Sequence, residues 1–276
     1  MSNLQLRIVS GLVLAAVVLA LTYVGGLPFR LLCALIAAAV FYEWSRMARP
    51  APATGIDLFP EALLAVFVAA LAVGLSATIL LPLLSAMVIA TGLIAKAKGQ
   101  AQWEAAGLAY AGLSGLTLAL LRDGDRSGLV AILFLFSVVW ATDILAYFVG
   151  RAVGGPKLAP SISPGKTQSG ALGGAVGGVV AGLLLAIAAG AQNLVGLGIV
   201  ALALSIVSQA GDLFESWVKR RHGRKDSSLI IPGHGGVMDR VDGLVFACFA
   251  AFIVILGEAL ILDGAGIPAG ALLLGR

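Results

Sequence analysis

Acidic and basic side chains are concentrated in residues 212–242 of this sequence. The segment holds five of the fourteen acidic residues and six of the eighteen lysines and arginines. Four of its polar residues are spaced i, i+3, i+4 and i+7 and would share one face of a helix: Asp212, Glu215, Ser216 and Lys219. Carboxylates beside basic residues are typical of a site that binds a divalent metal with a polyphosphate. The alternative is a basic loop whose charges only anchor helices at a membrane surface.

The second half of this segment is rich in glycine. Gly233, Gly235 and Gly236 would let the backbone approach a phosphate closely, and their N–H groups could form an anion-binding nest. His234 lies among them and could act as a general base, a phosphate donor or a metal ligand. No second histidine or cysteine pair accompanies it at ligand spacing, so the sequence argues against a zinc site.

A second polar segment, residues 150–169, follows an apolar run that contains an acid. Asp143 lies inside that run, and a charged residue within a membrane span is expected to be functional because burying it in lipid costs free energy. The alternative is a simple hydrogen bond between helices. Within the polar segment, Ser163, Lys166 and Thr167 offer hydrogen-bond donors suited to phosphate.

The composition places most of this 276-residue chain in lipid. Hydrophobic residues make up 60% of it and charged residues 12%, about half the charged share of a soluble protein. We therefore predict an all-α, polytopic integral membrane protein. A spanning helix needs about 20 mostly apolar residues. Nine such runs are present, near residues 7–25, 28–46, 59–76, 78–96, 105–121, 128–149, 170–190, 193–211 and 243–262.

The distribution of basic residues predicts the orientation of these spans. With the N-terminus in the cytoplasm, fourteen lysines and arginines fall in cytoplasmic segments and four in external ones. This bias predicts a cytoplasmic N-terminus and an external C-terminus. Both polar segments, 150–169 and 212–242, then face the cytoplasm. We divide the chain into N-terminal membrane helices, residues 1–127 with about five spans, and a catalytic membrane region, residues 128–276.

Residues 216–242 carry a long series of identities that recurs in one enzyme family. The series is Ser216, Val218, Lys219, Arg220, Lys225, Asp226, Pro232, His234, Gly235, Gly236, Val237, Asp239, Arg240, Val241 and Asp242. It resembles, position by position, the motif of the phosphatidate cytidylyltransferases, also called CDP-diacylglycerol synthases. The earlier segment is similar to that family at Asp143, Ala146, Tyr147, Gly150, Arg151, Ser163, Pro164, Lys166 and Thr167. Ser169 departs from the family, many of whose members have glutamate there.

The resemblance implies the reaction of that family, in which CTP and phosphatidate give CDP-diacylglycerol and pyrophosphate in phospholipid biosynthesis. It implies that Asp212 and Asp239 bind a catalytic Mg²⁺, and it leaves open whether a second cation binds. Further catalytic candidates are Asp143, Lys219, Arg220, His234 and Asp242. The candidate substrate-binding residues are Ser163, Lys166, Thr167, Ser216, Lys225, Asp226, Gly235, Gly236 and Arg240.

The same resemblance implies the partners and the location. The expected partners are CTP, phosphatidate and the lipid bilayer, and no nucleic acid. The expected location is the plasma (inner) membrane, as a multi-pass protein whose active site faces the cytoplasm.

Three other activities share part of this chemistry. A CDP-alcohol phosphotransferase is suggested by residues 239–243, which echo the opening of its motif, but the two further spaced aspartates are missing. A lipid-alcohol kinase that uses CTP would share the metal chemistry but not the complete motif. A cation-coupled transporter would use Asp143 and Asp212 as ion ligands. The basic, glycine-rich loop would then have no explanation.

One row of glycines recurs every four residues: Gly170, Gly174, Gly178 and Gly182. On a helix such a row forms a smooth surface that permits close contact with another helix. The surface could form a homodimer or pack against a helix of the same chain, and we expect internal packing.

Overall fold

The computed structural model describes residues 3–49, 58–124, 126–231, 235–261 and 267–275. Within these residues the chain is almost entirely helical, as predicted, with one added two-stranded hairpin. The elements are α1 (Asn3–Val24), α2 (Gly26–Ala48), α3 (Phe59–Val73), α4 (Ala77–Ala97), α5 (Trp103–Arg122), α6 (Arg126–Val153), β1 (Lys157–Ala159), β2 (Ser163–Thr167), α7 (Gln168–Ala188), α8 (Leu194–Arg221), α9 (Met238–Ile261) and α10 (Ala269–Leu273).

The long helices make this a multi-pass membrane protein. Every run that was predicted to span corresponds to a helix. Among the described residues, seven helices are long and apolar enough to cross a membrane, namely α2 and α4 to α9. Two further apolar stretches are shorter. They are Val9–Val24, within α1, and Phe59–Val73, which is α3. The count of nine spans therefore stays a prediction.

The expected break between the third and fourth runs is confirmed, and a glycine makes it. Helix α3 ends at Val73, and Gly74 follows with a φ of 88°, a left-handed conformation that favours glycine. A Cβ on Gly74 would lie 2.8 Å from Cζ of Arg30, so a side chain there would also displace the Arg30 guanidinium. Helix α4 begins three residues later, at Ala77.

The contacts divide the chain into two compact units. The first unit comprises Met1–Leu120 and His222–Arg240, and the second comprises Leu121–Arg221 and Val241–Arg276. The polar residues 222–240 thus cluster with the N-terminal helices. The functional division at residues 127 and 128 stays a prediction.

The core of the first unit forms around the C-terminal end of α2, the end that is predicted to face the cytoplasm. Trp44 is almost fully buried, and its Nε1 donates a hydrogen bond to the carbonyl oxygen of Trp103 at 2.7 Å. Its ring lies against Gly107 of α5, where an added Cβ would come within 2.3 Å of the ring. The small residue on α5 therefore lets α2 and α5 pack closely.

Arg49 ties three helix ends of the first unit together. It follows α2 and contacts Glu61 of α3 at 2.5 Å and Glu104 of α5 at 2.6 Å. Burial disfavours the charged form of Arg49, but hydrogen bonds and charge attraction from Glu104 and Glu61 outweigh this effect and raise its pKa above the ordinary value. These contacts hold α2 in place against α3 and α5.

In the second unit the glycine row packs within the chain, as expected. Helix α7 lies against α6, and the row faces backbone atoms and side chains of that helix. A Cβ on Gly174 would lie 2.8 Å from the carbonyl oxygen of Thr142, and one on Gly178 would lie 2.4 Å from its Oγ1. Thr142 and Ser205 of α8 also share a buried hydrogen bond of 2.7 Å. The row thus joins three helices of one chain.

The segment before α7 forms an antiparallel hairpin. Lys157 pairs with Thr167 and Ala159 with Ser163. The hairpin packs against α6 and α7, at the ends of those helices that carry the polar segment. It therefore presents Ser163 and Lys166 beside the second unit's helices.

Candidate active site

Among the described residues of the first unit, Glu43 of α2 is the most completely buried carboxylate. Its side chain is 0% exposed. Oε1 accepts hydrogen bonds from Ser228 Oγ at 2.6 Å and from the Val237 N–H at 2.8 Å. Oε2 accepts from Ser227 Oγ at 3.0 Å and from the Met238 N–H at 2.7 Å. The charge of Glu43 is thus satisfied by the α8–α9 loop, which we define as residues 222–237, and by the start of α9.

Asp239, in the first turn of α9, is the second carboxylate that binds this loop. Its Oδ2 accepts from the Ser227 N–H at 3.0 Å, from Ser227 Oγ at 2.8 Å and from the Gly236 N–H at 2.8 Å. A carboxylate in the first turn of a helix is also favoured by the helix dipole. The predicted metal ligand therefore also organises the loop that precedes it.

The two glycines of the motif make close approaches inside the first unit. Gly235 has a φ of 89° and exchanges two backbone hydrogen bonds with Ile231. A Cβ on Gly236 would lie 1.9 Å from Ser227 Oγ and 2.6 Å from Glu43 Oε2. The N–H groups of both glycines bond within the chain, so their role in binding phosphate stays a prediction. Residues 232–234, including His234, lie outside the described residues.

The remaining candidates of the first unit have exposed side chains. They are Lys225, Asp226 and Arg240. Their exposure leaves them accessible to a soluble polyphosphate such as a nucleotide. Their roles in substrate binding stay predictions.

In the second unit the hairpin brings Lys166 to Asp212. The Nζ of Lys166 forms an ion pair with Asp212 Oδ2. Ser216, one turn further along α8, lies 3.5 Å from Asp212 Oδ1, at the outer limit of a hydrogen bond. Lys166, from the segment 150–169, is therefore a neighbour of the predicted metal ligand Asp212 and of the substrate-binding candidate Ser216, which both lie in the segment 212–242.

Further acidic residues surround Asp212. Asp242 of α9 is close enough to interact electrostatically with Asp212, Glu215 and Asp143. Glu215 also accepts a hydrogen bond of 2.7 Å from Lys219, one turn later on α8, and both side chains are buried. The predicted shared face of α8 is thus confirmed.

Three other candidates are placed by the local structure of this unit. Thr167 caps α7, because its Oγ1 accepts a hydrogen bond from the Gly170 N–H at 3.1 Å. Ser163 pairs with Ala159 in the hairpin, and Arg220 is exposed at the end of α8. Ser169, where many family members have glutamate, donates a hydrogen bond to the carbonyl oxygen of Gly154.

The carboxylates offer donors that suit a hard cation. Among the described residues, no group of three histidine, cysteine, aspartate or glutamate side chains is arranged to hold a metal alone. Mg²⁺ does not require such a group, because proteins commonly bind it through one or two carboxylates together with substrate phosphates and waters. The carboxylate of Asp212 and the carboxylate of Asp239 each offer oxygen donors of this kind.

The Glu43-Trp44 pair resembles the family, but sequence reasoning assigned no role to Glu43 or to Ser227. The rule that an acid inside an apolar span is functional was applied to Asp143, and it applies equally to Glu43, which lies within α2. Applying it to every span would have selected Glu43. No comparable signal exists for Ser227, because serine is common in polar loops.

Comparison with known proteins gives a consistent result. The sequence profile of the "Cytidylyltransferase family" matches residues 5–257. A phosphatidate cytidylyltransferase of Brucella abortus is 50% identical over 257 residues, which cover 93% of this chain and 94% of the relative. One from Bacillus subtilis is 32% identical over 271 residues, covering 93% of this chain and 99% of the relative. One from Haemophilus influenzae is 37% identical over 142 residues, about half of each chain.

Proposed function

Because the chain belongs to the cytidylyltransferase family, we propose that it transfers CMP from CTP to phosphatidate, giving CDP-diacylglycerol and pyrophosphate. The observation that carries this proposal is 50% identity with a phosphatidate cytidylyltransferase over 93% of the chain. The ion pair between Lys166 and Asp212 supports it, because it brings the two polar segments of the motif together.

The transfer of CMP is a single displacement at the α-phosphorus of CTP. An oxygen of the phosphatidate phosphate attacks the α-phosphorus of CTP and forms a new P–O bond. The bond from the α-phosphorus to the oxygen that bridges to the β-phosphorus breaks, and pyrophosphate leaves with that electron pair. The nucleophile is already an anion, so no covalent enzyme intermediate is needed. The protein contributes alignment and neutralisation of charge.

Basic side chains are proposed to neutralise the phosphates. Arg220, Lys225 and Arg240 have exposed side chains that could contact a triphosphate. Lys166 is a further proposed donor to phosphate, together with Ser163 of the same strand. Lys219 is buried against Glu215, and we propose that it keeps the acidic residues of α8 in place rather than contacting CTP.

Mg²⁺ is the proposed cofactor, with Asp212 and Asp239 as its protein ligands. When bound, such a cation neutralises phosphate charge and polarises the phosphoryl group. Asp143 and Asp242 are proposed to orient the site, and Asp242 lies within electrostatic reach of Asp212. A second cation remains part of the proposal.

The proposed location is the plasma membrane, with the active site facing the cytoplasm, where CTP is found. The positive-inside distribution of basic residues supports this orientation. A homodimer has less support, because the glycine row that suggested it packs against α6 within the chain.

Purified protein in detergent micelles provides the test. With CTP, phosphatidate and Mg²⁺, we expect CDP-diacylglycerol and pyrophosphate to form in equal amounts, and to stop forming when EDTA is added. Omitting phosphatidate is the matched control and should abolish both products. Well-folded protein that forms neither product would refute the proposal.

A further inference from the structure

We propose that Glu43 is a positioning residue, which holds the α8–α9 loop and orients Asp239 for the transfer of CMP. The orientation of Asp239 for catalysis rests on the proposed function, whereas the holding of the loop by Glu43 does not. Glu43 is 184 residues before Ser227 and 195 before Met238 in the sequence, yet it binds both. A single side chain of α2 thus fixes the segment that carries the family motif.

The burial of Glu43 shows how strongly this contact depends on the loop. A buried carboxylate is costly unless hydrogen bonds compensate for its lost hydration. Four donor groups lie within hydrogen-bond distance of Glu43, two at each carboxylate oxygen, and all come from residues 227–238. One of them, the Ser227 hydroxyl, is shared with Asp239. Two of these donors are the N–H groups of Val237 and Met238, which lie at the start of α9 where no intrahelical acceptor exists. Glu43 therefore stabilises the start of that helix as well as the loop.

Ser227 connects Glu43 to Asp239. Its hydroxyl lies 3.0 Å from Glu43 Oε2 and 2.8 Å from Asp239 Oδ2. A serine hydroxyl carries one proton and can donate it to one of these oxygens at a time. The Ser227 N–H also donates to Asp239 Oδ2, at 3.0 Å. The orientation of the Asp239 carboxylate is therefore set by a residue that Glu43 holds from the other side.

Gly236 lets the loop pass close to Glu43. Any side chain there would begin 1.9 Å from Ser227 Oγ and 2.6 Å from Glu43 Oε2. Both distances are shorter than real Cβ contacts, so the glycine is needed for the loop to pass this close. The second glycine of the His-Gly-Gly motif is thereby explained by Glu43.

The substitution Glu43→Gln tests the proposal with almost no change in volume. Whichever way the amide is oriented, its NH₂ group faces a backbone N–H, either that of Val237 or that of Met238, and cannot accept from it. We expect faster amide hydrogen exchange at residues 227–231 and 235–238, measured without substrate or metal. We also expect the Mg²⁺ concentration for half-maximal rate to rise by about tenfold or more, as for other residues that orient metal ligands.

The matched control is Glu61→Gln. Glu61 is a partly buried carboxylate of the same unit, but it pairs with Arg49 instead of the loop. Its substitution should leave both the exchange of the loop and the Mg²⁺ dependence unchanged. A purely structural role for Glu43 would lower the yield of folded protein and leave the Mg²⁺ dependence of the folded fraction as in the wild type.

Exchange in the loop that stays at the wild-type rate in Glu43→Gln would overturn the proposal, as would an unchanged Mg²⁺ dependence. If Glu43→Gln does not fold, Ser227→Ala tests the proposal instead. It removes only the hydroxyl that connects Glu43 to Asp239 and leaves three of the four Glu43 contacts. It should raise the Mg²⁺ requirement, and no rise would contradict the proposed connection. If the wild type itself transfers no CMP, the proposed function fails, whereas the exchange measurement still tests the role of Glu43.

Discussion

At the scale of single residues, Asp239 has two proposed roles: it organises the α8–α9 loop and it binds a metal. One of its oxygens, Oδ2, already accepts hydrogen bonds from the N–H groups of Ser227 and Gly236, and it shares the Ser227 hydroxyl with Glu43. These bonds fix the carboxylate before any ligand arrives, which lowers the entropic cost of placing it. Preorganisation of this kind is what a metal ligand requires.

The substitution Asp239→Asn should separate these two tasks. The amide oxygen can still accept from the loop, while the negative charge for the cation is lost. We expect kcat/KM for CTP to fall by about 100-fold or more, with little change in the melting temperature. Initial rates across a Mg²⁺ titration provide the measurement. Asp123→Asn, an exposed acid outside both polar segments, is the control. Wild-type activity in Asp239→Asn at every Mg²⁺ concentration would refute its role.

Residue-level prediction succeeded where neighbours are close in the sequence. Helical spacing placed Glu215 and Lys219 on one face of α8, and they form an ion pair there. It could not place Glu43 beside Ser227, because no local pattern encodes a contact across 184 residues. His234 keeps its three alternative roles, since it lies outside the described residues.

At the scale of elements, the glycine row of α7 determines how closely α6 can approach. Gly174→Ala would place a Cβ 2.8 Å from the carbonyl oxygen of Thr142, which is backbone and cannot rotate away. We expect a loss of about 1–3 kcal/mol of stability, measured as a lower melting temperature in detergent. Gly198→Ala on α8 is the control, because its nearest neighbour would be at an ordinary 3.7 Å. Equal melting temperatures for the two variants would contradict the packing role.

The hairpin before α7 shows a limit of prediction at this scale. Prolines at positions 160 and 164 indicate an extended segment, and the structure has one. The pairing of its two strands was not predicted, because residues 160–162 lack the glycine or asparagine signals of short hairpin turns. The close approach of Lys166 to Asp212 follows from that pairing and could not be predicted either.

At the scale of the whole molecule, the contacts of Glu43 bear on the number of spans. Glu43 lies near the C-terminal end of α2 and binds the α8–α9 loop. If α2 and α8 both span the membrane, this contact favours an even number of crossings between them. Six helices, α3 to α8, satisfy this condition, and omitting α3 leaves five. We therefore expect α3 to be a short span of 15 residues, about 22 Å long.

Accessibility of introduced cysteines tests this topology. The native Cys33 and Cys248 are buried, so they should give little background labelling. With a reagent that reaches only the cytoplasmic face, we expect labelling of Leu229→Cys and Arg46→Cys but not of Asp123→Cys. All three positions have exposed side chains. If Asp123→Cys is labelled and the other two are protected, the orientation is the reverse of the predicted one. If only one of Arg46→Cys and Leu229→Cys is labelled, α3 is excluded as a span.

The central claim is that CMP, and not another part of CTP, is transferred to the lipid. We would incubate the purified protein with phosphatidate, Mg²⁺ and CTP labelled with ³²P at either the α or the γ position. The proposal predicts that the α label enters the lipid fraction and that the γ label appears only in pyrophosphate. Transfer of the γ label to lipid would identify a lipid kinase. Failure of either label to leave CTP would contradict the account altogether.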